Sequence, residues 1–315
     1  MKPLLLAITG PTGVGKTELC IKLANFYSCP ILNCDSRQIY RELPIGTAAP
    51  TADQLQKAKH YFVATHGLND IYNAGQYERD AVPLLIRLTG TAKDGRPFAI
   101  IAGGSMMYMD AVLSGLDDIP QADIVTREQI QNEYRQKGLS WLQEEAKRLD
   151  PDYYTTMADP QNPQRLIHCI EVSLTAGQPY SGFLKKNTAQ RPWETLKFAL
   201  NMPREVLYER INKRVGEMVQ QGMQEEAKAA YESVKHISPL PNSLCTVGYR
   251  EWIEYFNGKI SRDEAIALIK QNTRHFAKRQ LTWLRRDKDI IWIDKQSDEQ
   301  AIQEITKYIN SRNEK

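Results

Sequence analysis

Gly10-Pro11-Thr12-Gly13-Val14-Gly15-Lys16-Thr17 decides the reading of this chain. The spacing is that of a phosphate-binding P-loop, and its context fits. The apolar run before it reads as a buried strand over Leu4–Thr9. The residues after it place Leu19, Leu23 and Phe26 on one side of an amphipathic helix. Glycines in such a loop let backbone N–H groups converge on phosphate oxygens. Lys16 adds a point charge, and the Thr17 hydroxyl can hold Mg²⁺.

Working outward, strands and helices alternate. Short apolar runs predict strands at Pro30–Cys34, Phe98–Ala102, Leu196–Met202 and Asp289–Ile293. Helices are predicted at Met106–Leu113 and over a long stretch, Glu205–Glu232, with Leu207, Ile211, Val215 and Met218 on one stripe. The pattern changes near residue 118, where strand signals stop and polar helices follow at Ile124–Lys137, Leu139–Leu149 and Pro163–Ala176. Gln178–Trp193, with Pro179 and Pro192, returns the chain to the core. The expected fold class is α/β: a P-loop NTPase-like parallel sheet core from residues 1–117 and 191–315, with a helical insertion domain at 118–190.

Hydrophobic residues make up 42% of the 315 and charged residues 25%, which indicates a soluble globular chain. No apolar run approaches the ~20 residues a membrane span needs, so no membrane association is expected. Leu4–Ile8 flows straight into the loop and reads as a core strand, not a signal peptide. Five scattered cysteines without CxxC spacing read as reduced thiols in a cytoplasmic protein, with no zinc site. Residues 197–288 hold 17 Lys and Arg against 11 Asp and Glu, although the whole chain is only +3. That asymmetry suits a surface meeting a polyanion and equally a solvated helical face.

An NTP-hydrolysing P-loop protein usually ends a later strand in an acidic residue near the metal. Here Phe98–Ala102 ends in Gly103-Gly104-Ser105, which counts against a motor or GTPase. A small-molecule kinase stays open, with Asp35 at the end of the second strand activating a hydroxyl. Carboxyl ends of parallel strands line the ligand crevice, so Asp35 should lie near the P-loop. On position alone it serves as well as a helix N-cap.

Blocks beyond the P-loop carry a resemblance. They are Asp35-Ser36 with Gln38 and Tyr40, Ile45-Gly46-Thr47-Ala48, Gly103-Gly104-Ser105 with Tyr108, and Asn162 with Arg165. Further on come Arg204 with Leu207, Arg210, Arg214 and Met218, then Gly248-Tyr249 with Glu251, and Lys278-Arg279-Gln280 with Thr282-Trp283. In this order, over nearly the whole chain, the sequence resembles the tRNA dimethylallyltransferases (tRNA isopentenyltransferases).

The resemblance implies transfer of a dimethylallyl group from dimethylallyl diphosphate to the exocyclic amine of the adenosine 3′ of the anticodon. Gly10 to Thr17 (Gly10, Pro11, Thr12, Gly13, Val14, Gly15, Lys16, Thr17) would then hold a diphosphate. Lys16, a Mg²⁺ held partly by Thr17, and Arg204 would neutralise its leaving charge. Asp35 would take the proton from the amine. The adenine must leave its stack, and Ser36 and Gln38 would hydrogen-bond it. Arg37, Ser105, Arg127, Gln161, Asn162, Pro163, Gln164 and Arg165 are implied as tRNA contacts, with the insertion clasping the anticodon stem-loop. Thr246, Gly248, Tyr249, Arg250, Lys278, Arg279, Gln280, Trp283 and Arg285 complete that set. In Arg274–Arg286 the cations interleave with His275, Phe276 and Trp283, a phosphate-tracking helix with stacking partners. A monomer is expected.

The chain departs from the family pattern in places. Ser105 stands where Thr is more frequent, Ala49 where Lys is common and His168 where Arg is frequent, and His60-Tyr61-Phe62 is a divergent His-rich block. Three other readings compete: the kinase, an adenylate isopentenyltransferase acting on a free nucleotide, and an RNA-binding module with a vestigial P-loop. The kinase leaves the basic C-terminal helix unexplained, the free-nucleotide enzyme needs neither that helix nor the insertion, and the intact Lys16 and Thr17 argue against a vestigial loop.

Overall fold

The computed structural model describes residues 2–93, 95–120, 122–157, 159–184 and 189–313. It divides into two units, residues 1–113 with 190–315, and residues 114–189. The returning stretch Gln178–Trp193 lies partly outside the described residues, at 185–188.

The first unit is built on six strands: β1 (Leu4–Thr9), β2 (Ile31–Asn33), β3 (His60–Tyr61), β4 (Pro97–Ala102), β5 (Glu194–Asn201) and β6 (Ile291–Asp294). Their order is β3-β2-β4-β1-β5-β6, and every neighbouring pair is parallel. β1 and β4 are buried throughout, as continuous apolar runs should be when helices cover both faces. Side chains alternate across β1. Leu5 and Ala7 join one apolar cluster with Tyr77, Val215, Trp252 and Ile269. Leu4, Leu6 and Ile8 join another with Leu19, Leu23, Leu207, Ile211 and Ile305.

The covering helices early in the chain are α1 (Lys16–Tyr27), α2 (Ala52–Lys57), α3 (Ala74–Thr89) and α4 (Met106–Ser114). The second unit carries α5 (Ile124–Leu149), interrupted where Gly138 leaves helical geometry, α6 (Pro151–Thr156) and α7 (Pro163–Ala176). Ile130, Leu142, Ala146, Leu166 and Ile170 form that unit's own core. The core unit resumes with α8 (Arg204–Gln220), α9 (Met223–Val234), α10 (Tyr249–Phe256), α11 (Arg262–Leu284) and α12 (Asp298–Asn313).

The strand reading of the parallel core holds, with ends shifted by at most two residues. The long helix Glu205–Glu232 does not. Its apolar stripe is buried as expected, at Leu207, Ile211, Val215 and Met218, but the chain turns at Gly222, whose φ of 101° no helix tolerates. α3 and β3 occupy a stretch to which the sequence reading assigned no element. β3 is two half-buried residues held by pairing with β2, so its signal is tertiary.

Candidate active site

The P-loop links β1 to α1. Gly10, Gly13 and Gly15 take positive φ values of 140°, 88° and 91°, which lets successive amides face inward. Among the described residues no side chain caps α1, so its first N–H groups remain for an anion. The Lys16 ammonium donates to the carbonyls of Gly10 (2.8 Å) and Pro11 (3.0 Å). Burial, and then the nearby Arg214 charge, lower its pKa to about 8, with Asp35 opposing them.

Two cavities of the core unit meet above this loop. The smaller, about 270 Å³, is lined by Gly13, Gly15, Lys16, Thr17 and Gln38 among others. The larger, about 550 Å³, adds Ser36, Arg37, Ser105, Thr246, Gly248, Arg250, Arg279 and Trp283, with Met106, Val215, Met218 and Ile269 giving it an apolar wall. Seven residues line both: Thr12, Asp35, Thr47, Gly104, Arg214, Phe276 and Gln280. Asp35 therefore stands where a group held over the phosphate loop meets one entering from the larger space.

Asp35 follows β2 after a single residue, Cys34. One carboxylate oxygen, Oδ1, accepts from the Arg37 amide at 2.9 Å, which fixes the side chain as a turn-stabilising aspartate does. Oδ2 faces Gly104, where an added Cβ would sit 3.5 Å away. So the turn role and the site role coexist on different oxygens. Ser36 and Ser105 are also joined. The Ser105 hydroxyl accepts from the Ser36 amide (2.9 Å) and donates to the Ser36 hydroxyl (3.0 Å), which ties the start of α4 to the segment after β2.

Several nominated residues prove to have other jobs. Arg204 opens α8, is exposed, stacks over Tyr208 at 5.0 Å and lines neither cavity. The arginine at the loop lies three helical turns further on. Arg214 donates to the Thr12 hydroxyl, lines both cavities, and has a buried Nε without a hydrogen-bond partner among the described residues. Burial pushes its guanidinium down from the usual range while Asp35 pulls it back up. A buried cation with an unpaired N–H is suited to an anion. Arg210 supports the loop from outside, donating to the Gly13 carbonyl at 2.9 Å.

Gln280, expected as a tRNA contact, is only 4% exposed. Its carbonyl accepts from the Thr12 amide and its amide donates to the Gly104 carbonyl, both at 2.8 Å. It braces the P-loop against the end of β4. Tyr249 is fully buried, and its hydroxyl donates to Glu226 at 2.6 Å. Glu226 in turn accepts from the Ile45 and Gly46 amides (2.7 and 2.8 Å), so Tyr249 orders the loop after β2 from inside the core. Gln38 donates to the Thr47 and Ala48 carbonyls (3.1 and 2.9 Å), which occupies its amide N–H groups within the same loop. Arg37 donates to the Asn242 carbonyl at 2.6 Å.

Lys278 and Arg279 on α11 and Arg285 just after it are exposed, while Ala277, Gln280 and Leu284 face inward. Trp283 donates to Asp110 at 3.2 Å, and the Arg286 guanidinium lies 5.6 Å from its ring. In the second unit, Asn162 caps α7 by accepting from the Gln164 and Arg165 amides (3.1 and 3.3 Å), with Pro163 in its first turn. Gln161, Gln164 and Arg165 are exposed. Arg127 forms a two-pronged pair with the buried Glu171 (2.9 and 3.1 Å).

Among the described residues no cluster of three or more His, Cys, Asp or Glu side chains is placed to hold a metal. The smaller cavity does carry the Thr17 hydroxyl and the Asp35 carboxylate. That sparse oxygen set fits Mg²⁺ shared with phosphate oxygens and water rather than a protein-only cage. No described helix is long and apolar enough to cross a membrane.

Comparison with known proteins agrees along the chain. A model of the IPP transferase family matches residues 38–287. A tRNA dimethylallyltransferase 1 from Phocaeicola vulgatus is 44% identical over 313 residues, covering 99% of this chain and 100% of the relative. A namesake from Porphyromonas gingivalis is 43% identical over 298 residues, 95% and 96% of the two chains. The crystal structure of a tRNA isopentenylpyrophosphate transferase from Bacillus halodurans aligns with a TM-score of 0.71 at 30% identity, covering 100% of this chain and 97% of that one. A eukaryotic dimethylallyltransferase acting on tRNA shares the fold with a TM-score of 0.77 at 21% identity, over 98% and 80% of the chains. The similarity thus runs through the P-loop core and the helical insertion alike, and the chain belongs to the IPP transferase family.

Proposed function

We infer that this protein is a tRNA dimethylallyltransferase that takes its prenyl group from dimethylallyl diphosphate and places it on the exocyclic amine of the adenosine 3′ of the anticodon. Family membership and near full-length relatives of that name carry the activity. The observation that carries the mechanism is Asp35 on the shared wall of the two cavities.

In this reading the diphosphate lies in the smaller cavity on the loop amides, Lys16 and Arg214. The adenine amine enters from the larger one. Its nitrogen lone pair is delocalised into the ring, so bond formation requires a proton acceptor. The free oxygen of Asp35 takes that proton as C1 passes from the diphosphate oxygen to nitrogen. Lys16 and Arg214 face the charge that develops on the departing diphosphate. The Thr17 hydroxyl would hold Mg²⁺, which adds charge neutralisation when bound and leaves Asp35 for the proton. The exposed cations of α11 would track RNA phosphates, and the exposed start of α7 would contact the anticodon stem-loop. We assign the protein to the cytoplasm, as a monomer.

The test is label transfer from dimethylallyl diphosphate, with Mg²⁺, to an anticodon stem-loop RNA carrying adenosine at the target position, beside an identical RNA carrying guanosine there. Label on the first alone is the expected result. Label on neither, with ATP consumed against a small metabolite, would replace this reading with the kinase.

A further inference from the structure

We propose that Met106 sets the length of the prenyl group this protein accepts, by walling the larger cavity off from an apolar pocket behind it. The proposal rests on the transferase reading above. A third cavity of about 260 Å³ lies between α4 and the end of α11, and it shares only Met106 and Trp283 with the larger cavity. Trp283 is 39% exposed and Met106 only 8%, so Met106 is the internal partition. Beyond it Met109, Leu113, Leu284 and Ile290 face the pocket. The polar groups there already have partners: Lys197 pairs with Asp287 at 2.6 Å, and Asp110 accepts from Trp283. The space suits hydrocarbon.

Met106 is also close to the chemistry and held in place. It follows Ser105, whose hydroxyl bonds Ser36 beside Asp35. Its sulfur lies 3.5 Å from the Thr9 hydroxyl, whose proton it shares with the Gly103 carbonyl at the same distance, and this contact sets the thioether at the end of β1. A geranyl donor adds one isoprene unit, five carbons. At the ~30 Å³ a water-sized group occupies in a liquid, these need roughly 150 Å³, less than the pocket offers. The reaction itself is unchanged. The C1–O bond breaks with its electron pair leaving on diphosphate, the amine lone pair forms the C1–N bond, and the amine proton passes to Asp35.

The test offers dimethylallyl and geranyl diphosphates in competition to wild type, M106A and M106A/L113F, with the modified nucleosides resolved by mass. L113F refills the pocket from its far side. M106A should raise the geranyl-to-dimethylallyl ratio of kcat/KM at least tenfold, within the range hydrophobic pockets achieve for added methylenes. Adding L113F should return the ratio to within about threefold of wild type. An unchanged ratio in M106A, or a gain that L113F leaves intact, overturns the proposal. If M106A turns over neither donor, the ratio of calorimetric Kd values for the two diphosphates decides by the same thresholds. A wild type that transfers no dimethylallyl group defeats the transferase reading and this inference together, whereas an active wild type with an unmoved M106A ratio defeats this inference alone.

Discussion

Replacing Gln280 distinguishes a brace from an RNA contact. Its two hydrogen bonds, to the Thr12 amide and the Gly104 carbonyl, are both 2.8 Å long and shielded from solvent. Gln280→Ala leaves one donor and one acceptor without their partner. Each orphaned buried group costs about 1–3 kcal/mol. Because Gln280 also borders both cavities, water can reach the gap and relieve part of this. The expected loss is about 2–3 kcal/mol of folding stability. Gln280→Glu keeps the acceptor for Thr12 but sets a carboxylate against the Gly104 carbonyl, and should lose about 1–2 kcal/mol. Urea unfolding followed by circular dichroism reads these values. Steady-state kinetics should show KM for dimethylallyl diphosphate rising in both variants, because Thr12 belongs to the phosphate loop. A Gln280→Ala protein of wild-type stability, with only its KM for tRNA raised, would refute the argument.

Asp35→Asn keeps an oxygen for the Arg37 amide and removes the base. Transfer should slow by ~10²–10⁴-fold with diphosphate binding retained, checked by single-turnover transfer beside calorimetry. Lys16 has its pKa lowered to about 8 by burial, and a bound diphosphate holds the proton more tightly than the free site does. Affinity for dimethylallyl diphosphate should therefore fall as pH rises through about 8, by up to about tenfold per unit, while K16R should show no such fall between pH 7 and 9. Removing the exposed charges of Lys278 and Arg285 together should reduce the slope of log Kd for tRNA against log salt by about 1.4–1.8, with KM for the prenyl donor unmoved. Salt titrations of stem-loop binding check this.

The parts of the molecule legible in the sequence are those with local causes. β1 reads as a strand because six consecutive apolar or small residues run into a glycine loop, and Asp35 is legible because a parallel sheet gathers strand ends on one side. β3 is not legible: two half-buried residues owe their extended form to β2. Arg204 and Arg214 look alike in sequence. Only the packing of α8, with Leu207 and Ile211 against the β1 face bearing Leu4 and Leu6, settles which one points at the loop. Gln280 sits among exposed cations, and a surface reading was natural. Its inward direction follows from Ala277 and Leu284, its neighbours three before and four after on the buried stripe.

The strand order bears on how the chain is made. Leu4 pairs with Pro97 on one side and Glu194 on the other. At ribosomal speeds of about 5–20 residues per second, the roughly 190 residues between Leu4 and Glu194 take about 10–40 seconds to synthesise. Throughout that interval β1 has β4 beside it at most, and its other edge stays bare. The helices of residues 114–189 emerge during the wait and close a core of their own, while the nascent sheet stands half built. Newly made chains should therefore be most dependent on chaperones just before residue 194 leaves the ribosome, and stalled fragments ending between residues 113 and 190 should aggregate where the full chain does not.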